Sequence, residues 1–115
     1  MIEQWAEIPG YENKYWISNY GRLKNDKIIM KPMVATNGYL MACLWKNNKQ
    51  KKILIHKLVA NAFMKKPRGK KEINHIDEDK TNNRIDNLEW CTHKYNMNYG
   101  NVRKKISKSK MGKPP

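Results

Sequence analysis

The sequence predicts an α+β fold in which a small antiparallel β region and a short helix precede a strand–loop–strand–helix unit. Short apolar and aromatic runs, separated by residues that favour turns, occupy the first 55 positions. Residues 56–64 instead repeat apolar side chains with helical spacing. Residues 72–100 contain two strand-like runs and end in a helical segment with a favourable cap at each end.

The predicted β region contains four strand candidates. YWIS at 15–18 and KIIM at 27–30 are short, and turn-forming residues join them. YLMACLW at 39–45 is a stronger candidate because apolar and aromatic residues fill it. KNNKQ at 46–50 is expected to turn this strand back into KKILI at 51–55, which makes an antiparallel hairpin.

A connecting helix is predicted at 56–64. One face of it carries the apolar residues Leu58, Val59, Ala62 and Phe63. His56 opens this helix and is interpreted as a structural residue or a phosphate contact. Proline and glycine at positions 67 and 69 then predict a loop.

EINHI at 72–76 is the next strand candidate, with Ile73 and Ile76 interpreted as residues that face a core. A polar loop at 77–86 follows it, and its asparagines are interpreted as loop formers whose side chains bond to the backbone. A second strand at 87–90 is expected to turn its leucine and tryptophan inward.

The last predicted helix runs over about 93–99, with Thr92 as N-cap and Gly100 as C-cap. Six of the fifteen residues at 101–115 are Lys or Arg, and none is acidic. This segment is predicted to be either a disordered basic tail or a helix that forms only on a polyanion.

The charge balance points to a polyanionic partner. The 115 residues include 24 Lys and Arg against 10 Asp and Glu, a net charge of +14, and nucleic acid is the commonest partner of such a chain. A membrane surface is disfavoured because no basic amphipathic helix is evident. With no signal-peptide pattern and no apolar run near 18 residues, a cytoplasmic protein is expected, in the host-cell cytoplasm if it is phage-encoded.

The cysteines and tryptophans are interpreted as core residues. Cys43 and Cys91 are far apart with no C-x-x-C, which argues against a zinc knuckle or a disulfide framework. Both are therefore expected to be small buried side chains. The same is expected of the four tryptophans, because strands of a small domain usually bury them: Trp5, Trp16, Trp45 and Trp90.

One constellation carries the functional argument. His75 ends the first strand of the 72–100 unit, Asn87 opens the second, and Asn96 lies in the helix. The spacing alone is weak, because the chain is rich in asparagine. The order of the elements, together with the strings NHID and DNLEW, makes the pattern much more specific.

With that context, residues 73–98 resemble the ββα-metal core of HNH nucleases in the H-N-N variant. Residues 5–25 resemble the N-terminal module often found on phage and intron-encoded HNH endonucleases, and residues 53–63 are similar to the connector that precedes their core. The resemblance covers roughly residues 3–100. KKISKSKMGK at 104–113 is faintly similar to a DNA-binding repeat of such nucleases.

The resemblance implies a division into three parts and a function. Residues 1–66 would be a β-rich DNA-binding module with its connector helix, residues 67–100 the HNH core and residues 101–115 a basic tail. The implied activity is divalent-metal-dependent hydrolysis of DNA phosphodiesters by a site-specific nicking or homing endonuclease. A catalytically inactive DNA- or RNA-binding module is the alternative.

The resemblance also implies residue roles. His75 would be the general base that activates water, and histidine suits this task because its ordinary pKa is near neutral. Asn74 and Asn96 would offer side-chain oxygens to Mg²⁺ or Mn²⁺, which prefer such hard ligands. Asn87 would complete the catalytic set by holding the His75 loop in place.

Position 74 departs from one pattern of the family, because some members have Asp where this chain has Asn74. Mg²⁺ usually takes one or two carboxylates, so two uncharged amides predict weak metal affinity without DNA. Asp77 and Asp79 lie nearby and are weak candidates for supplying the missing charge.

Double-stranded DNA is the expected partner, and monomer and dimer both remain open. The basic residues around the core are interpreted as a phosphate track, which positions DNA without reading its sequence. They are Lys51, Lys52, Lys57, Lys65, Lys66, Arg68, Lys70, Lys71, Arg103, Lys104 and Lys105.

Overall fold

The computed structural model describes residues 1–99, which form three antiparallel sheets and two α-helices. The predicted α+β class is thereby confirmed. The predicted cap Gly100, the basic tail and its residues Arg103, Lys104 and Lys105 lie outside the described residues. The first two sheets consist of β1 Trp5–Glu7, β2 Tyr15–Ser18, β3 Leu23–Asn25 and β4 Ile29–Met30, then β5 Met33–Val34, β6 Leu40–Lys46 and β7 Lys49–Leu54. After them come α1 Ile55–Phe63, β8 Glu72–His75, a 3₁₀ turn Ile85–Asn87, β9 Leu88–Cys91 and α2 at 93–99.

The N-terminal sheet is a meander with the strand order β1-β2-β3-β4. The prediction found β2 exactly as it stands but missed β1 and β3, and it made β4 two residues too long. Each missed strand has three residues, too few to show an alternating pattern. Their pairing fixes them instead, with Trp5 opposite Ser18 and Leu23 opposite Ile17.

The β6–β7 hairpin closes through a two-residue turn. Asn47 and Asn48 have φ of 54° and 62°, so both adopt the left-handed conformation that a type I′ turn requires. Asparagine tolerates this conformation better than most residues. The turn is therefore shorter than the predicted range of 46–50 and consists of Asn47 and Asn48 alone.

Helix α1 lies at the centre of the molecule and begins one residue earlier than predicted. Its buried face contains Ile55, Leu58 and Val59, which pack in one hydrophobic cluster with residues from every sheet. That cluster includes Ile17 of β2 and Leu88 of β9. One core therefore spans the predicted boundary at residue 66, and the division into modules stays a prediction.

Several residues predicted to be core are exposed. Ala42 and Leu44 of β6 are fully buried against α1, so Cys43 and Trp45 alternate to the opposite face, where Trp45 is 53% exposed. Ile76 is 38% exposed because β8 ends one residue before it. Cys91, as predicted, is buried; the other three tryptophans are only partly so. Among residues 1–99, no helix has the length and apolar character needed to cross a bilayer.

Candidate active site

The β8–β9 hairpin brings the predicted site residues to one place. The two strands pair antiparallel, with Asn74 opposite Glu89 and His75 opposite Leu88. Both Asn74 and His75 are buried, at 6% and 5% exposure, although neither is apolar. Buried polar side chains of this kind are uncommon outside sites where they have a specific partner or function.

The His75 ring is held by a loop asparagine, Asn83, whose side chain bonds to this ring and not, as predicted, to the backbone. Its Nε2 lies 2.7 Å from Oδ1 of Asn83, which is itself 3% exposed. A carbonyl oxygen only accepts hydrogen bonds, so this contact assigns the ring proton to Nε2 and leaves Nδ1 as the basic nitrogen. The loop fold alone brings Asn83 to the ring, and no local pattern predicts such a contact.

Asn87 ties together the loop that follows His75. Its Oδ1 accepts from the Asp77 N–H at 3.0 Å, and its Nδ2 donates to Asp77 Oδ1 at 2.9 Å and to the Asn82 carbonyl at 2.8 Å. Its backbone carbonyl accepts from the Ile76 N–H at 2.8 Å. The Asn87 side chain, at the end of the loop, therefore satisfies groups at the start of the loop and in its middle.

The acidic run after His75 also organises this loop. Asp77 accepts from the Asn82 side chain and from the Asp79 N–H, and these hydrogen bonds lower the pKa of its carboxyl group. Asp79 accepts from both the N–H and the hydroxyl of Thr81, which lowers its pKa in the same way. Both carboxylates thus accept hydrogen bonds from groups of the loop. These two acidic residues of a basic chain therefore have a structural role in the loop.

An open pocket of about 170 Å³ joins three of the predicted site residues. Asn74, His75 and Asn96 all line it, and Asn96 reaches it from α2. The acidic residue in its wall is Glu78, not Asp77 or Asp79. The remaining wall residues are Tyr39, Ile73, Lys80 and Tyr99.

Glu72 orients the Asn96 amide. Its Oε1 accepts from Asn96 Nδ2 at 2.9 Å, and its Oε2 lies 2.5 Å from Nδ1 of His93. The hydrogen bond from Asn96, followed by that from His93, lowers the pKa of Glu72. This hydrogen bond engages the amide nitrogen of Asn96, so the amide oxygen is the atom with which Asn96 could bind a cation. Sequence reasoning gave Glu72 no role.

The donor set suits a hard cation of modest affinity. Within residues 1–99, no group of three or more His, Cys, Asp and Glu side chains is arranged to hold a metal. Asn74 Nδ2 is buried with no hydrogen-bond partner in this part of the chain, so the amide gains nothing there as a donor. Its oxygen and that of Asn96 are hard ligands, and Glu78 adds a carboxylate to the same pocket.

Two further rings pack on His75. The His56 ring lies 5.0 Å from it, edge to face, and the Tyr39 ring lies 5.8 Å from it. Burial, then the neighbouring charges of His75 and Lys57, lowers the pKa of His56 to about 4. His56 is therefore neutral near pH 7 and packs against the His75 ring, which supports the structural one of the two roles predicted for it.

A larger basic groove of about 480 Å³ adjoins the pocket and shares Asn96 with it. Lys57, Lys66 and Lys71 of the predicted track line this groove, and the Lys66 ammonium lies 5.4 Å from the Trp90 ring. The other described members of the track are exposed and do not line the groove: Lys51, Lys52, Lys65, Arg68 and Lys70.

Comparison with known proteins matches both halves of the chain to family models. Residues 3–45 match the NUMOD4 motif, and residues 54–98 match the HNH endonuclease model. The second match includes the three predicted site residues of the pocket, Asn74, His75 and Asn96, and the whole loop between β8 and β9. The predicted resemblance of the two regions is confirmed.

Individual relatives agree with these matches. An uncharacterized HNH endonuclease of Acanthamoeba polyphaga mimivirus is 44% identical over 87 residues, which cover 74% of this chain and 26% of that protein. DNA endonuclease I-HmuI of Bacillus phage SP01 is 34% identical over 96 residues, covering 82% of this chain and 55% of that protein. The solved structure of the HNH homing endonuclease I-HmuI, described for DNA binding and cleavage, superposes with a TM-score of 0.78 at 34% identity.

That superposition covers 87% of this chain and 59% of the I-HmuI chain. The chain thus spans less than two thirds of the length of each of these relatives. The two family models and the shared fold together show that this chain belongs to the HNH endonuclease family.

Proposed function

We propose that the chain is a divalent-metal-dependent DNA endonuclease that hydrolyses phosphodiester bonds with His75 as general base. One observation carries the proposal: Asn74, His75 and Asn96 meet in a single pocket that continues into a groove lined by lysines. The relative I-HmuI is a DNA endonuclease, which supports DNA as the substrate. A homing role is supported by the similarity to the solved structure of I-HmuI, which is described as a homing endonuclease.

HNH nucleases generally use a divalent metal ion, and the residues of the pocket fit one. Asn74 and Asn96 would hold Mg²⁺ or Mn²⁺ through their amide oxygens, with Glu78 as the carboxylate in the same wall. When bound, the ion offsets the negative charge that develops on the phosphate oxygens.

Two side chains of the chain, His75 and Asn83, would carry out the proton transfer from the attacking water. Nδ1 of His75 takes the proton of the attacking water, and the resulting imidazolium keeps its Nε2–H donated to the Asn83 oxygen. That oxygen stabilises the positive ring and holds its plane, so Nδ1 stays directed at the water. Asn87 fixes the loop in which Asn83 lies.

The groove would hold the DNA strand that flanks the scissile bond. Lys57, Lys66 and Lys71 place three cations along it, and such contacts position the backbone without reading sequence. One catalytic centre acts on one phosphodiester at a time. Nicked circles are therefore the expected first product from supercoiled plasmid.

A plasmid nicking assay with Mg²⁺ or Mn²⁺ tests the proposal. The wild-type chain should convert supercoiled DNA to nicked circles, and His75→Ala should slow this step by about 10²–10⁴-fold. The variant should still bind DNA in a gel-shift assay, since the groove lysines are untouched. Equal nicking by both proteins would overturn His75 as the base, and nicking that survives EDTA would overturn metal dependence.

A second candidate is a DNA- or RNA-binding module without chemistry. The uncharged Asn74 favours it, because Mg²⁺ sites usually contain carboxylates. This candidate predicts salt-sensitive binding to DNA, no nicking at any Mg²⁺ or Mn²⁺ concentration, and effective competition by tRNA. A DNA preference over tRNA at raised salt, together with nicking, would exclude it.

A further inference from the structure

The turn between β2 and β3, residues 18–22, is held rigidly. Ser18 is fully buried, and its Oγ accepts from the N–H groups of Tyr20 and Arg22 at 3.1 Å each. The Asn19 side chain accepts from the Gln4 N–H at 2.8 Å and donates to the Ile2 carbonyl at 3.0 Å. The turn is thereby fixed to the N-terminal segment of the chain.

This turn touches the loop that carries Asn83. The Asn19 carbonyl accepts from the Ile85 N–H at 2.9 Å, and the Arg84 guanidinium lies 4.3 Å from the centre of the Tyr20 ring. Asn83 itself packs on Gly21. The N-terminal module and the catalytic loop are therefore in direct contact over three consecutive loop residues.

Gly21 has no space for a side chain. Its φ is +82°, and a Cβ built on it would lie 2.9 Å from both the Cβ and the backbone oxygen of Asn83. Contacts that short do not occur between such atoms, so one backbone would have to move. By contrast, Gly10 in the same module has φ +85° and nothing within 4 Å of its Cβ position.

We propose that the N-terminal module holds the general base in place, because its 18–22 turn packs through Gly21 on Asn83, the positioning residue of His75. The inference rests on the proposed function, in which His75 Nδ1 takes the proton of the attacking water. On this proposal, the N-terminal module contributes to catalysis by positioning His75, in addition to any contact that it makes with DNA. The path runs from the turn to Asn83 and from Asn83 Oδ1 to His75 Nε2.

The Gly21→Ala variant tests the contact, with Gly10→Ala as its matched control. Both substitutions place alanine at the same left-handed backbone conformation, but only the first meets Asn83. Gly21→Ala should lower kcat by about 10–100-fold, the expected effect of a small displacement of a catalytic group. The dissociation constant for plasmid DNA should stay within about twofold of that of Gly10→Ala, because the groove lysines do not change.

A second pair of variants keeps the test independent of the folding of Gly21→Ala. Asn83 Nδ2 has no hydrogen-bond partner among residues 1–99, so the side chain contributes its oxygen alone. Asn83→Asp keeps an acceptor for His75 Nε2 and should retain most of the rate. Asn83→Leu has a similar shape without an acceptor and should lose about 10–100-fold in kcat.

Two readouts separate positioning from a general structural effect. Long-range ¹H–¹⁵N spectra should show His75 as the Nε2–H tautomer in wild type and Gly10→Ala, and as a tautomer mixture in Gly21→Ala and Asn83→Leu. The double variant Gly21→Ala/Asn83→Leu should cleave no more slowly than Asn83→Leu alone, because both changes act through one contact.

The proposal is overturned if Gly21→Ala matches Gly10→Ala in kcat, or if it weakens DNA binding while leaving kcat unchanged. Additive losses in the double variant would also overturn it. These outcomes differ from failure of the proposed function, in which His75→Ala itself nicks at the wild-type rate. In that case the His75 tautomer would still respond to Asn83→Leu, since the contact does not depend on catalysis.

Discussion

Two antiparallel hairpins in this chain are closed in opposite ways. β6 and β7 are joined by Asn47 and Asn48 alone, whose left-handed backbone matches the twist of the strands. β8 and β9 are separated by residues 76–87, which side-chain hydrogen bonds and a 3₁₀ turn hold together. The first hairpin is closed by its own two turn residues, whereas the second is held by buried amides and contacts the β2–β3 turn at Asn83 and Ile85.

The difference shows where a small domain places its chemistry. A two-residue turn has no room for a site, but a long ordered loop can direct several side chains at one point. The loop here aims Asn83 at His75 and holds its own ends through Asn87. Its order must therefore come from polar contacts that the candidate site residues share, so we expect the two hairpins to respond differently to mutation.

The largest contrast is expected from alanine at one asparagine of each hairpin. Asn87→Ala should lower the nicking rate at least about 10²-fold, because the loop loses the group that joins its ends. It should also destabilise the fold by roughly 2–4 kcal/mol, since Asp77 and Asn82 lose their partners. Asn47→Ala should cost about 1 kcal/mol, because alanine is disfavoured at positive φ, and leave nicking unchanged.

Nicking rates and urea unfolding measure both effects. Equal loss of cleavage in Asn47→Ala and Asn87→Ala would contradict this prediction, since the β6–β7 hairpin would then matter as much for cleavage as the β8–β9 hairpin.

A carboxylate at the end of β8 should strengthen the proposed cation site. Asn74→Asp adds a negative charge to the pocket shared with Asn96, so the Mg²⁺ concentration for half-maximal nicking should fall by about tenfold. Asn47→Asp makes the same chemical change in the other hairpin and is the control. An equal response of both variants would mean that overall charge, and not the pocket, sets the metal dependence.

His56, at the start of α1, links the two hairpins and should make stability depend on pH. Its pKa is about 4 in the fold against an ordinary 6.5, so below pH 6.5 the unfolded chain takes up a proton that the folded chain does not. The folded state is thus favoured above pH 6.5 and loses about 2 kcal/mol between pH 7 and pH 5.

Thermal or urea unfolding at those two pH values gives the size of this loss. His56→Phe removes the titrating group while keeping a ring beside Tyr39, so its pH dependence should be smaller by that amount. An unchanged pH dependence in His56→Phe would assign the acid sensitivity to other groups.

The smallest effect is expected from completing the β6–β7 turn. Asn48→Gly gives the Asn-Gly pair that type I′ turns favour, at a position with φ of 62°. Stability should rise by roughly 0.5 kcal/mol, because glycine adopts positive φ without strain. Nicking should not change, and a faster or slower rate would show that the two hairpins are coupled.

Local pattern predicted the longer elements well. β2, β6, β7, α1, β8 and β9 all fall within a few residues of their predicted positions. Asn74, His75 and Asn96 were found through the family motif, and the fold brings them into one pocket. Their catalytic and metal-binding roles stay predictions, as do the cytoplasmic location and the oligomeric state.

The α+β class, the basic character of the chain and the family could all be predicted from the sequence, because each of these depends on composition, periodicity or short motifs. Three contacts became visible only in the fold: Glu72 holds Asn96, Asn83 fixes the His75 ring and Gly21 packs on Asn83. These contacts join residues 8 to 62 positions apart in the chain, and the packing of α1 and the loop sets them. A polar residue in a loop shows no sign in the sequence of which distant side chain it will meet.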